Sequence, residues 1–307
     1  ARLKLGKLIE SRLGSQIPIR QSHIVARTRS TDGTLKLLVG FAGGGAVESV
    51  LMLAPDGRRA AGCISSQIGC AMRCDFCAST RRGLERSLEA GEIVEQFLHL
   101  RHEAKLIGRR LATIVFMGMG EPMYNLPNVI RAIRRIAAPE MGELGGRQIT
   151  VSTVGIVPGI DTLAEADLNV HLAVSLHAPD DATRSRIVPM NRRYGVAEIM
   201  AAARRFQGRT GRIVTIEYCL LDGINDSDTQ AHMLADLLGG FRAHVNLIPY
   251  NPIGMGLSGI AYATPPAGRV QSFYDILFGR GVVVHLRRPR GDDVNAACGQ
   301  LRETTIR

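Results

Sequence analysis

The chain has no tryptophan, 5% aromatic residues, and only four lysines (Lys4, Lys7, Lys36 and Lys105) among its 38 basic residues. So few aromatics argue against an extensive platform for stacking nucleic-acid bases. No run approaches the roughly 18 uninterrupted apolar residues of a membrane-spanning helix, so no span is expected. After Ala1-Arg2-Leu3-Lys4 there is no apolar core with a small-residue cleavage site, so no secretory signal is read and a cytoplasmic protein is expected. Repeats and low-complexity tracts are also lacking. At 307 residues the default is one main domain with a small appendage.

What is present is positive charge. Lys and Arg outnumber Asp and Glu by 38 to 28, a formal charge of +10. A polyanionic partner and an ordinary Arg-rich surface fit that balance equally well, because net charge governs solubility and non-specific association too.

Strand-like and helix-like pieces alternate. Beyond an N-terminal basic segment, Thr34 to Phe41 and Ala46 to Leu53 are β-rich runs joined by Ala42-Gly43-Gly44-Gly45, a hairpin pattern. Arg59 to Ser65 follows as a strand, then a helix whose Ile93, Phe97, Leu100 and Ala104 share one face. Further strands are read at Leu111 to Met117, Gln148 to Thr153, Val170 to Leu176, Ile213 to Leu220, His244 to Ile248 and Val282 to Leu286. Between them lie helices at Asn128 to Ile136, around Pro158, and at Val196 to Phe206, Ser227 to Leu238 and Val270 to Phe278. Such alternation indicates an α/β fold with a parallel sheet covered by helices, closed or open, and places the chemistry at the carboxyl ends of the strands.

Six cysteines occur: Cys63, Cys70, Cys74, Cys77, Cys219 and Cys298. Cys70, Cys74 and Cys77 form a tight Cys-x3-Cys-x2-Cys run just after the first core strand, and without a secretory mark structural disulfides are not expected there. A closed zinc site would need a fourth ligand, and the run has no second Cys-x-x-Cys half. Three thiolates at this spacing fit a 4Fe–4S cluster with one iron open to a substrate or cofactor. Cys219 sits in an apolar strand pattern and reads as core.

At Cys70-Ala-Met-Arg-Cys74-Asp-Phe-Cys77 the sequence resembles the radical S-adenosylmethionine (SAM) superfamily. The likeness continues through Gly62-Cys63-Ile64-Ser65-Ser66-Gln67, Gly118-Met119-Gly120-Glu121-Pro122, Thr150-Val151-Ser152-Thr153, Ser175-Leu176-His177-Ala178 and Val188-Pro189-Met190-Asn191. It extends to Asn246-Leu247-Ile248-Pro249-Tyr250-Asn251 and to Gly291-Asp292-Asp293 through Ala296-Ala297-Cys298-Gly299-Gln300. These segments are similar to the RlmN/Cfr family of radical SAM RNA adenine methyltransferases, and to the RlmN branch more than to Cfr.

That resemblance implies a partial (β/α) barrel at 57–307 behind a small β-rich extension at 1–56, with the family's helical N-terminal domain missing or reduced. It implies methylation of adenine C2 in 23S rRNA, with tRNA as a further substrate. The alternatives are a Cfr-like C8 enzyme and a non-catalytic, metal-dependent RNA-binding module, which would leave Cys298 without a purpose. By the same resemblance Cys70, Cys74 and Cys77 hold the cluster, and Gly120, Glu121, Ser152, Ser175, Leu176, His177 and Asn251 contact SAM. Two SAM molecules are used per turnover: one methylates Cys298, and the other yields a 5′-deoxyadenosyl radical that activates that methyl for addition to the base. Glu48 accepts the C2 proton, and Cys63 resolves the protein–RNA adduct through a transient disulfide. A flavodoxin-type electron donor and a monomeric state are expected. Among the arginines, Arg81, Arg82, Arg287 and Arg288 are the candidates for RNA phosphates.

Overall fold

The structure, a computed structural model, describes residues 21–141 and 144–301. The N-terminal basic segment read from the sequence lies mostly outside them. Twelve strands form two sheets among the described residues. The large one has the order β1-β2-β3-β4-β7-β8-β9-β10-β11-β12, and β5 with β6 makes a small antiparallel ribbon.

The first three strands are β1 (Ser22–Arg29), β2 (Leu35–Phe41) and β3 (Ala46–Leu53). They pair antiparallel, and β3 continues antiparallel onto β4 (Arg59–Cys63). The predicted hairpin is present: Gly44 and Gly45, at φ of 87° and 75°, take the left-handed backbone that its turn needs. Strand β1 is missing from the sequence reading. Its pattern, Ser-His-Ile-Val-Ala-Arg-Thr-Arg, is largely exposed, because an edge strand buries little and leaves a weak apolar signal.

From β4 onward every neighbour is parallel: β7 (Arg110–Phe116), β8 (Ile149–Thr153), β9 (His171–Ser175), β10 (Val214–Leu220), β11 (Ala243–Pro249) and β12 (Val283–Leu286). Strands β1 and β12 are the two free edges, so the parallel strands form an open, partial barrel. Helices α1 (Ala90–Leu106), α2 (Leu126–Ile136), α3 (Val157–Glu165), α4 (Asp181–Ile187), α5 (Val196–Thr210), α6 (Asp228–Leu237) and α7 (Ala267–Gly279) connect them. The seven-residue α4 is too short and too polar to stand out by periodicity.

Helix α1 shows why the layers hold. Its Ile93, Phe97 and Leu100 are fully buried, and each such side chain contributes about 1.5–3 kcal/mol by leaving water. Glu92 closes the first turn by accepting from the Glu89 N–H at 2.9 Å. On the same helix Gln96 reaches into the core, accepts from the Ser65 N–H at 2.9 Å and donates to the Ser65 carbonyl at 3.0 Å. That fixes the exit of β4, from which the chain enters β5 (Gln67–Gly69), the cysteine loop and β6 (Leu84–Ser87).

Candidate active site at the carboxyl ends of the strands

Loops after β4, β7, β8, β9 and β11 gather at one end of the barrel. The cysteine run lies between β5 and β6, and Cys70, Cys74 and Cys77 line one cavity there. The loop is pinned at each side. Asp75 accepts from the Ser258 N–H at 2.8 Å, from the Ser258 hydroxyl, and from the Tyr262 hydroxyl at 2.7 Å. Ala78 N–H donates to the Gly299 carbonyl at 2.7 Å, so the segment carrying Cys298 is docked directly on the cysteine loop.

Burial pushes the Cys70 thiol up to about 12 and raises Cys74 and Cys77, with the neighbouring thiols adding to the effect on Cys70 and Cys74. Three thiols whose ionisation burial opposes suit a site in which bound metal supplies the compensating charge. Among the described residues no three His, Cys, Asp or Glu side chains converge to grip a single ion. A closed zinc site would require that, with ligands at about 2.0–2.3 Å. A 4Fe–4S cluster, in which each thiolate binds its own iron, fits the three cysteines that line this cavity.

The same cavity is lined by Gly120, Glu121, Ser152, Ser175 and His177. Gly120 has φ of 99°, and a Cβ there would lie 2.8 Å from the Gln67 backbone nitrogen, so only glycine fits. Glu121 is buried with its carboxylate accepting from Met123 N–H at 3.0 Å and Val154 N–H at 2.9 Å; burial nonetheless raises it to about 7. Ser152 and Ser175 hydroxyls are 3.3 Å apart at the ends of adjacent strands. His177 adopts a left-handed φ of 60°, and burial followed by the charge of Arg184 lowers it to about 3, so the ring is neutral. Its Nδ1 accepts from the Cys219 N–H at 3.0 Å, which leaves the proton on Nε2.

Leu176 is fully buried behind this wall and does not line the cavity. Asn251 lines a second, adjoining cavity of about 680 Å³ and donates to the Cys298 carbonyl at 3.1 Å. That second cavity brings together Cys63, at the end of β4, and Cys298, near the far end of the chain. Burial first, and then Cys298, pushes the Cys63 thiol up to about 12. Both cysteines are free thiols, so the expected disulfide is not formed. Cys298 lines both cavities and is open to them, an exposed thiol in a deep cleft.

Glu48 lies elsewhere. It is 2% exposed, lines neither cavity, and pairs with Lys36 at 2.9 Å. Arg287 and Arg288 line the second cavity together with Arg59 and Arg290. Arg81 instead donates to the Ile253 and Met255 carbonyls, holding the loop that Asp75 also grips. Cys219, read as core, is buried but also lines the first cavity.

Two important residues escaped the sequence reading. Arg184 is wholly buried, donating to Leu176 O at 2.8 Å, Ser175 O at 3.2 Å and Val154 O, and it thereby ties the ends of β8 and β9. Burial lowers it to about 10. Glu217, a polar residue inside the apolar β10 run, lines both cavities; its position between apolar neighbours was the available signal.

Residues 64–235 match the model of the Radical SAM superfamily. The chain is 58% identical over 281 residues to a "Probable dual-specificity RNA methyltransferase RlmN 1" of Opitutus terrae, covering 91% of this chain and 79% of that protein. It is 47% identical to a probable RlmN of Rhodopirellula baltica, covering 90% and 72%. A crystal structure of a radical SAM methyltransferase from Sphaerobacter thermophilus superposes with a TM-score of 0.92 at 46% identity, over 97% of this chain and 86% of that one. With the cysteine loop, the strand-end cavity and these relatives in agreement, the chain belongs to the radical SAM superfamily and, within it, to the RlmN family of SAM-dependent transferases.

Proposed function

We propose that the protein methylates C2 of an adenine in 23S rRNA, and in tRNA, through a methyl group carried on Cys298. The observation that carries this reading is the meeting of Cys63 and Cys298 in one cavity beside the cysteine loop. The relatives' names supply the RNA and the dual specificity. Adenine C2 lies between two ring nitrogens and is electron-poor, so it cannot attack the methyl sulfonium of SAM as a nucleophile, and a radical route is needed.

Cys70, Cys74 and Cys77 would hold a 4Fe–4S cluster, with Gly120, Glu121, Ser152, Ser175, His177 and Asn251 around SAM and Leu176 behind them. When bound, cluster and SAM supply the methyl group and, on receiving an electron from a flavodoxin-type donor, the organic radical. Two SAM molecules per turnover divide those tasks. The chain's own part is positional. Cys298 carries the methyl carbon to the base, and Asn251 holds its backbone. Cys63 then attacks the bridging sulfur; the sulfur–carbon bond breaks with its electron pair on the carbon, which takes up a proton to become the methyl group, and a transient disulfide is left to be reduced. Glu48 is the proposed acceptor of the C2 proton; because it lines neither cavity, that role needs its side chain to leave Lys36 and turn toward the base. Arg59, Arg287, Arg288 and Arg290 rim the cavity, where they would meet RNA phosphates.

Mass spectrometry of nucleosides from RNA incubated with reconstituted protein, SAM and a reductant tests the reading. The expected product is 2-methyladenosine. The C8 isomer alone, or no methylated adenosine, would contradict it.

A further inference from the structure

Glu217 has no part in the chemistry above, yet it occupies its centre. It lies on β10, two residues before Cys219, and lines both the cavity of the cysteine loop and the cavity of Cys63 and Cys298. The residue is 6% exposed. One carboxylate oxygen, Oε1, accepts from Asn246 Nδ2 at 2.9 Å on the adjacent strand. Among the described residues the other oxygen takes no hydrogen bond. That oxygen opens onto the cavities and is not sealed in the core, so a donor entering there can reach it. Burial raises its pKa, while the Asn246 N–H and the Arg287 guanidinium favour the ionised form.

We propose that Glu217 reads the 6-position of the target base, its open oxygen accepting from the exocyclic amine of adenine and rejecting a 6-carbonyl. This rests on the function proposed above and adds the residue that distinguishes adenine from other purines. The chemistry is direct: the amine is a donor, whereas the 6-oxygen of guanine or hypoxanthine would face a carboxylate oxygen, acceptor against acceptor. Among the described residues no other carboxylate lines the cavity that holds both Cys63 and Cys298. Loss of one such charge-assisted bond corresponds to about 10- to 100-fold in discrimination.

Glu217→Gln gives the test a sign. The amide oxygen can keep the Asn246 bond, which turns an NH2 group toward the cavity and converts the open acceptor into a donor. RNA hairpins would carry adenosine, inosine or purine riboside at the target position; all three keep a hydrogen at C2. Methylation and equilibrium binding would both be measured on cluster-reconstituted protein. Wild type is expected to prefer adenosine over inosine by about tenfold or more, and Glu217→Gln to lose or invert that preference, in binding as well as turnover. Purine riboside, lacking a 6-substituent, should respond least to the substitution. An adenosine-to-inosine ratio unchanged by Glu217→Gln would overturn the assignment, as would an equal loss on all three hairpins, which would make Glu217 structural. If wild type methylates no adenosine hairpin at all, it is the function itself that fails.

Discussion

At the scale of single residues, the loop thiols Cys70, Cys74 and Cys77 share the first cavity with Cys219 of β10. Cys-x3-Cys-x2-Cys is local, so the sequence could separate it from a disulfide pattern and from a paired zinc motif. Arg184 was illegible because its importance comes from the carbonyls at the ends of β8 and β9, and Glu217 showed only as a polar residue among apolar ones, its partner Asn246 lying on another strand. Cys219 shows the same limit, since its burial was readable and its place on the cavity wall was not. A contrast between two buried cysteines follows. Cys74→Ala should lose the cluster and all SAM cleavage, whereas Cys219→Ala should retain about four irons per chain, as measured by iron and sulfide analysis after anaerobic reconstitution. Equal iron loss in both variants would contradict the division.

Among elements, the strongly periodic pieces matched, and so did the short β12, whereas β1 and α4 left no apolar pattern to read. Strands β7 to β11 and the long helices carry buried apolar faces, whereas β1 is a polar edge. That edge hairpin nevertheless has a task. In the turn after β1, Asp32 accepts from Gly291 N–H at 3.1 Å, and Thr31 N–H donates to Asp293 at 3.1 Å. Lys36 on β2 donates to the Asn295 carbonyl at 3.2 Å. The hairpin therefore holds the segment that ends in Cys298, and contacts so distant in sequence leave no local signature. Asp32→Ala should raise amide hydrogen exchange across residues 290–301 while leaving the cluster intact. Each lost bond is worth about 1 kcal/mol. Unchanged exchange there would show that the hairpin does not restrain the segment.

On the scale of the whole molecule, a parallel sheet covered by helices was legible from alternation, because parallel strands buried on both faces read as apolar runs, whereas alternation left closed and open sheets equal and only the resemblance pointed to a partial barrel. The meeting of the chain's distant parts was not; only the family resemblance put Cys63 and Cys298 together before the cavity did. The basic rim and the +10 charge give an electrostatic expectation: affinity for a ribosomal RNA fragment should fall steeply with added salt, and a salt-independent affinity would argue against phosphate contacts. The account's central claim is that Cys298 delivers the methyl carbon and Cys63 resolves the adduct. Denaturing electrophoresis of labelled RNA incubated with SAM, a reductant and each cysteine variant tests it most directly. Cys63→Ala should give a shifted, RNase-sensitive protein–RNA band and Cys298→Ala none; the absence of that band from Cys63→Ala protein with full iron content would contradict the claim.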